Sequence, residues 1–387
     1  MKSIRVLFGI MAVSAMAMMV SPARAGENPV SFHGYGEMHF NDPKTSSSVP
    51  DGDAPARMDF HRMVWGLSYH FNDRFSLHTE IDFEHAANEL ELELAYLDYL
   101  INPLINLRAG SVLMPVGALN ETHEPTLFYS VERPYVQAYI IPTTWMEGGA
   151  GIFGGFLDGF KYRAYLVNGL DASGFSASSG LRGGRSKVNN APSEDFAGVG
   201  RLEYVGIPGF QAGVSGYYGK ADHDDKTLDD IGVTIFSGDL RYQFMGADLR
   251  GSYTQVRVSN AENILTESCS LQAPAGGGAV TESCSSSPAG VGEKMVGWYV
   301  EGAYDLLRPF QVDTQRLMAF VRLENFNTQD EVPSAYSADP KNERQIITFG
   351  VAYYPHPDIA IKIDEELWED EADNEGERLN VGIAYMF

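Results

Sequence analysis

The stretch RFSLHTEIDFE, Arg74 to Glu84, decides the reading of this chain. Phe75, Leu77, Ile81 and Phe83 fall on one parity, and Arg74, Ser76, His78, Glu80, Asp82 and Glu84 on the other. A period of two sets each group on its own face of a β-strand. One face is apolar and the other charged. A soluble sandwich would turn the apolar face to its core. A membrane barrel would turn it to lipid and leave the charged face in a wet lumen. One strand does not choose between them, so the pattern has to be followed along the chain.

The same alternation predicts strands near 30–40, 57–71, 74–85, 89–101, 104–114, 147–156, 160–169, 196–205, 210–219, 232–243, 247–258, 293–304, 316–326, 344–354, 359–368 and 377–387. Several have about the 9–11 residues that a tilted strand needs to cross a bilayer. Short turns such as Asn72-Asp73, Asn102-Pro103, Leu157-Asp158-Gly159 and Met245-Gly246 carry Gly/Pro/Asn/Asp chemistry. They alternate with long segments at 41–56, 115–146, 170–195, 220–231, 259–292, 327–343 and 369–376. The 305–315 turn is long and the 86–88 loop short, against the trend. Loops sorted by side are the signature of a transmembrane barrel, and an even strand count returns both ends to the short-turn side. The last strand, ERLNVGIAYMF, puts Leu379, Val381, Ile383, Tyr385 and Phe387 on one face. Such an apolar edge is an aggregation hazard unless it closes against the first strand. The expected fold is an all-β, closed antiparallel barrel of sixteen strands.

The N-terminus fits export. Lys2 and Arg5 precede an apolar run from Val6 to Val20 and then Ala23-Arg24-Ala25, which predicts a signal peptide over 1–25 and one barrel domain over 26–387. The formal charge is −24. So acidic a chain lacks the clustered bases that nucleic acid binding needs. Cys269 and Cys284 flank a Gly/Ser/Ala-rich stretch. In an exported chain the pair reads as a disulfide, with two free thiols as the alternative.

The segment PVGALNETHEPTLFYSVERPYVQAYIIPTTWMEGGAGIFGG after the fifth strand, with AYLDYLINPLINLRAGSVLMP before it, resembles the Gram-negative porins that include the phosphate- and polyphosphate-selective members. The matching features are Ala95-Tyr96-x-Asp98, Arg108-Ala109-Gly110, Pro115-x-Gly117, Asn120-Glu121-x-His123-Glu124-Pro125, Glu132-Arg133-Pro134 and Pro142-x-Thr144-Trp145. Weaker similarity extends to Leu181–Arg185 and to Phe320–Gln329. The resemblance implies a sixteen-stranded homotrimer whose third loop folds inward and narrows a pore. It implies outer-membrane lipid and lipopolysaccharide as surroundings and small hydrophilic solutes as cargo.

One departure matters. Phosphate-selective members line the constriction with bases, whereas Pro115 to Gly148 holds one base, Arg133, against Glu121, Glu124, Glu132 and Glu147. Rings of acid favour cations. The expected constriction is Glu121, His123, Glu124, Glu132 and Arg133. The expected lining is Arg74, Glu80, Asp82, Glu84, Arg108, Arg201, Arg322, Glu324, Lys362 and Asp364. Passive diffusion with a weak to moderate cation preference follows. A substrate-specific channel, including one for anions or phosphate, and a structural or adhesive surface barrel are the alternatives. Tyr129, Tyr135 and Tyr139 are candidate solute-stacking rings, or else packing.

No enzyme is expected. Ser130, His123 and Glu132 lack a G-x-S-x-G context. No metal or cofactor is expected either, since the histidines at 33, 39, 61, 70, 78 and 85 follow no ligand motif and read as lumen lining. Asp98 is the awkward residue. It shares the parity of Leu94 and Tyr96, the predicted lipid face. Either a bulge shifts the register, or Asp98 lies near the rim or a subunit contact.

Overall fold

A computed structural model describes residues 29–44, 54–223, 228, 230–272, 281–312, 314–334 and 336–387. The expected signal peptide at 1–25 lies outside the described residues. In chain order the strands are β1 (Val30–Lys44), β2 (Arg57–His70), β3 (Phe75–Glu84), β4 (Glu89–Asn102), β5 (Ile105–Leu113), β6 (Met146–Phe156), β7 (Phe160–Asn168), β8 (Phe196–Tyr204) and β9 (Phe210–Lys220). There follow β10 (Gly232–Phe244), β11 (Ala247–Ser259), β12 (Leu265–Gln272), β13 (Thr281–Pro288), β14 (Lys294–Asp305), β15 (Arg316–Glu331), β16 (Glu343–His356), β17 (Ile359–Asp370) and β18 (Glu375–Met386). All but β12 and β13 close into one antiparallel barrel of sixteen strands, each beside its neighbour in sequence. The strands β12 and β13 form a separate hairpin within the 259–292 loop. The alternation rule missed it because TESCSSSP has no apolar parity and LTESCSLQ carries only Leu265, Cys269 and Leu271 on one. Its register pairs Cys269 with Cys284.

Closure is local and legible. β1 pairs with β18, and the terminal residue joins in: Phe387 N donates to Gly34 O (2.9 Å) and Gly34 N to Phe387 O (3.0 Å). The Phe387 ring packs on Phe32 at 5.7 Å. The outer face is apolar. Phe236 and Leu249 are each 53 % exposed, with Trp298, Val300, Leu323, Ile347 and Ile363 on the same surface. A continuous apolar band has no place against water but suits a bilayer core. Ring contacts run along its short-turn edge, from Phe156 and Phe160 through Tyr204 and Phe210 to Tyr242 and Phe244. Aromatic girdles of this kind mark the membrane interface.

The Asp98 puzzle resolves as a bulge. The β3–β4 register passes from Glu80↔Leu94 to Ile81↔Leu92, leaving Glu93 as the extra residue. One inserted residue flips every later side chain on the strand. Asp98 therefore points inward, where it accepts two bonds from Arg108, at 2.8 and 2.9 Å.

Candidate functional site

The segment between β5 and β6 starts where Pro115 ends the strand pairing, since proline has no N–H to donate. Gly117 then takes φ +72°, a left-handed conformation open to glycine, and its N–H donates to Ser215 on β9 at 3.0 Å. Asn120 ties the neck. Its amide donates to Met114 O and Trp145 O, both at 2.8 Å, and its carbonyl accepts from Trp145 N at 2.9 Å. Both ends of the segment are thus held at one point of the wall while its middle crosses the lumen.

The first half is held by charge. His123 bonds to Asn120 O through Nδ1 (2.8 Å) and meets Tyr35 Oη (3.0 Å) and Glu93 through Nε2. Arg62 donates to His123 O at 2.8 Å and to Glu37 at 2.6 Å. Lys362 donates to Pro125 O and to Ser130 O. Asp364 accepts from Val131 N at 2.6 Å. Arg322 donates to Ser130 Oγ and pairs with Glu324 (2.6 Å) and Glu301 (3.4 Å). Tyr135 donates to Glu366, which also pairs with Arg378 at 2.9 Å. These anchors come from β1, β2, β4, β15, β17 and β18. Each charged group is buried with a partner, as burial of a charge demands.

The second half is held by packing. A single helical turn, α1 (Val136–Tyr139), leads into Ile140, Ile141 and Trp145, all fully buried. They meet inward-facing apolar residues near the long-loop ends of the facing strands: Val167, Val199, Tyr217, Ile235, Val256 and Met295. Leu170, Phe175 and Leu181 from the 169–195 loop complete this core. Arg185 of the same loop donates to Thr143 O. Trp145 lies 5.1 Å from Tyr217, and Tyr139 stacks on Phe326 at 4.9 Å.

The expected constriction residues divide. Glu121 pairs with Arg163 at 2.9 Å. Glu132 accepts from Asn41 at 3.2 Å and lies 3.5 Å from His39. Glu124 has one buried oxygen, Oε2, without a hydrogen-bond partner. Arg133 is half-buried and, among the described residues, forms no ion pair with its neighbour Glu132 or any other acid. Of the expected lining, Glu80, Asp82, Glu84, Arg108, Arg201, Arg322, Glu324, Lys362 and Asp364 all lie on barrel strands. Arg201 is spoken for by Asp239, at 2.6 and 2.9 Å.

Arg74 is a correction. It lies exposed in the β2–β3 turn, because the Asn72 side chain caps the N–H groups of Arg74 and Phe75 and delays the strand. The tyrosines are packed rather than free to stack on a solute. Tyr129 is bonded to Asp248 at 2.7 Å, and Tyr135 and Tyr139 sit in the contacts above. Sequence reading missed Glu37, Arg62, Asp248, Arg250, Glu301 and Arg378. Strand parity could have found Glu301 and Arg378. It could not find Arg62, because the β1–β2 register breaks between Glu37↔Arg62 and His39↔Asp59.

Cavities flank the segment. On the long-loop side one of about 490 Å³ is lined by His39, Asn41, Asp59, His61, His85, Glu132 and Arg378. On the short-turn side are two of about 160 Å³ each. One holds Glu80, Arg108, Glu121 and Glu124, and the other Asp239, Arg241 and Arg250. Ionisable groups line all three.

No family model matches the sequence. Over 371 residues it is 37% identical to an uncharacterized protein of Aquifex aeolicus (strain VF5), covering 92% of this chain and 80% of that one. Among solved structures, the outer membrane channel DcaP of Acinetobacter baumannii aligns with a TM-score of 0.60 at 13% identity, over 96% of this chain and 100% of that one. OmpF of Salmonella typhi, in complex with daunomycin, aligns at 0.58 and 12%, over 92% of this chain and 97% of that one. An anion-selective porin from Comamonas acidovorans aligns at 0.56 and 12%, over 92% and 99%. At these identities the likeness is one of fold, that of outer-membrane β-barrels.

Proposed function

This chain belongs to the family of the Aquifex aeolicus protein, and from that premise and the closed barrel we propose that it is an outer-membrane porin. It passes small hydrophilic solutes and ions by diffusion, through a lumen narrowed by the 115–145 segment. The observation that carries this reading is the crossing itself. One segment is tied to the wall on opposite sides, and charged, cavity-bearing space lies both above and below it.

The selectivity we propose is a weak to moderate preference for cations. Acids outnumber bases among the buried lumen groups. Glu37, Asp82, Glu93, Asp98, Glu147, Glu203, Asp248, Glu301, Glu324, Asp364 and Glu366 stand against Arg62, Arg201, Arg322, Lys362 and Arg378. Excess fixed carboxylate raises the local cation concentration. The basic constriction of the phosphate-selective porins is missing from the sequence, so we do not extend phosphate as a substrate. A homotrimer in lipid and lipopolysaccharide is the assembly we propose.

The test is conductance in a planar bilayer, with the reversal potential read under a potassium chloride gradient. Steps with a cation-positive permeability ratio are expected. Clear anion selectivity would overturn the preference. A folded barrel without conductance would favour a structural surface protein, and block by one solute a substrate-specific channel.

A further inference from the structure

Three potential ligands converge at the long-loop mouth of the barrel. Asp59 Oδ2 lies 3.3 Å from His61 Nδ1 and 2.7 Å from His85 Nδ1. The three ligand atoms all lie within 4.8 Å of one another. Asp59 and His61 share a face of β2 by the two-residue period. His85 arrives from the β3–β4 turn, which is bonded onto β2: His85 N donates to His61 O and Ala86 N to Phe60 O, both at 3.0 Å. The site is therefore set by backbone pairing rather than by floppy side chains. His39 stacks on His61 at 4.6 Å and 11° and fixes its plane. It stays outside the ligand set, because Glu37 and Glu132 occupy its two nitrogens.

We propose that Asp59, His61 and His85 bind a divalent transition-metal ion of the zinc class. Imidazole nitrogen with one carboxylate oxygen is a borderline donor set that suits zinc, copper or nickel rather than calcium or magnesium. Ligand bonds of about 2.0–2.2 Å in tetrahedral array put donor atoms about 3.3 Å apart. The observed separations need only small side-chain rotations to reach that. Two imidazoles aimed at a single carboxylate oxygen are more than an ion pair requires. Asp59 and His61 are partly buried, His85 is exposed, and all three open on the 490 Å³ cavity, which leaves coordination positions for water or a passing solute. Glu132 lines the same cavity, so a bound ion sits at the entrance to the narrowed passage. The site needs the fold alone and does not depend on the channel reading.

The experiment is calorimetric titration of the folded, metal-stripped full chain in detergent with zinc chloride, alongside visible absorption with cobalt chloride. We expect one ion per chain and cobalt bands typical of four- or five-fold coordination. His61→Ala and His85→Ala should each weaken zinc at least about tenfold. His85 lies in an exposed turn, so its variant keeps the test alive if His61→Ala disturbs β2. His70→Ala, at the other end of β2, should bind as the parent does, and magnesium should not compete. No saturable zinc binding below about 1 mM, or affinity unchanged in His85→Ala, would overturn the site whatever the conductance shows.

Discussion

Two arcs of the same barrel wall hold one segment by different physics. Along β15, β17, β18, β1 and β2 the inward residues are charged, and they grip residues 123–135 through Arg322, Lys362, Asp364, Glu366 and Arg62. Along β7 to β11 and β14 the inward residues near the long-loop end are apolar, and they pack on Val136, Ile140, Ile141 and Trp145. A charged grip is directional. Each anchor specifies a partner and a height in the lumen, and removing half of a buried pair strands the other half. An apolar grip is additive and forgiving, losing roughly in proportion to the volume removed. The segment is thus positioned by one arc and sealed against the other.

The largest break in this comparison is Arg322→Met. Buried Glu324 and Glu301 lose their shared cation, at a cost of about 3–5 kcal/mol. The segment should loosen from the wall, read as a larger and noisier single-channel conductance with the barrel still heat-modifiable on gels. An unchanged conductance would mean the charged arc does not hold it. Asn120→Ala comes next. It leaves Trp145 N without its partner and takes one of two hydrogen bonds from each of Met114 O and Trp145 O, for roughly 1–3 kcal/mol and a lower unfolding midpoint. Ile140→Val probes the apolar arc gently. It should cost roughly 0.5–1.5 kcal/mol and leave the conductance as it was, which is the contrast the two arcs imply.

Glu132→Gln sharpens the charge side. Its carboxylate is only partly buried, so stability should hold while the reversal potential moves toward zero. The smallest effect belongs to the hairpin β12–β13. We expect Cys269 and Cys284 to be linked, given their opposed register and an exported chain's oxidising surroundings. Reduction should alter gel mobility or thiol labelling and leave conductance alone, since the hairpin is separate from the barrel sheet. Free thiols in unreduced protein would refute the link.

Much of the fold could be read residue by residue. Phe75 to Glu84 alternates because one side meets lipid and the other a polar interior, and all sixteen barrel strands lie within a few residues of expectation. The candidate site was legible in outline. Gly117, Asn120, His123 and Trp145 stand out in the sequence, and each has a positional duty in the neck or the crossing. Their chemistry was not legible. Tyr129 and Tyr135 offer rings to a solute on paper, yet their hydroxyls are tied to Asp248 and Glu366. The apolar arc was hidden for another reason. In FAGVGRLEY, Ala197 and Val199 point inward while Phe196 and Leu202 point out, so both parities look apolar and the face of each is ambiguous.

By itself the sequence determined the barrel, its strand number and its closure, because period-two alternation and turn chemistry are local and survive without knowledge of partners. It determined the excess of acid as well, since charge is a property of composition. Only the tertiary structure decided where those charges go. A bulge at Glu93 turned Asp98 from lipid to lumen, and an irregular register near Glu37 accompanied the inward turn of Arg62. The pairing of Asp59 with His61 and His85 likewise depends on a turn docking onto β2. Register and docking arise from contacts between segments far apart in the chain, and strand parity alone does not encode them.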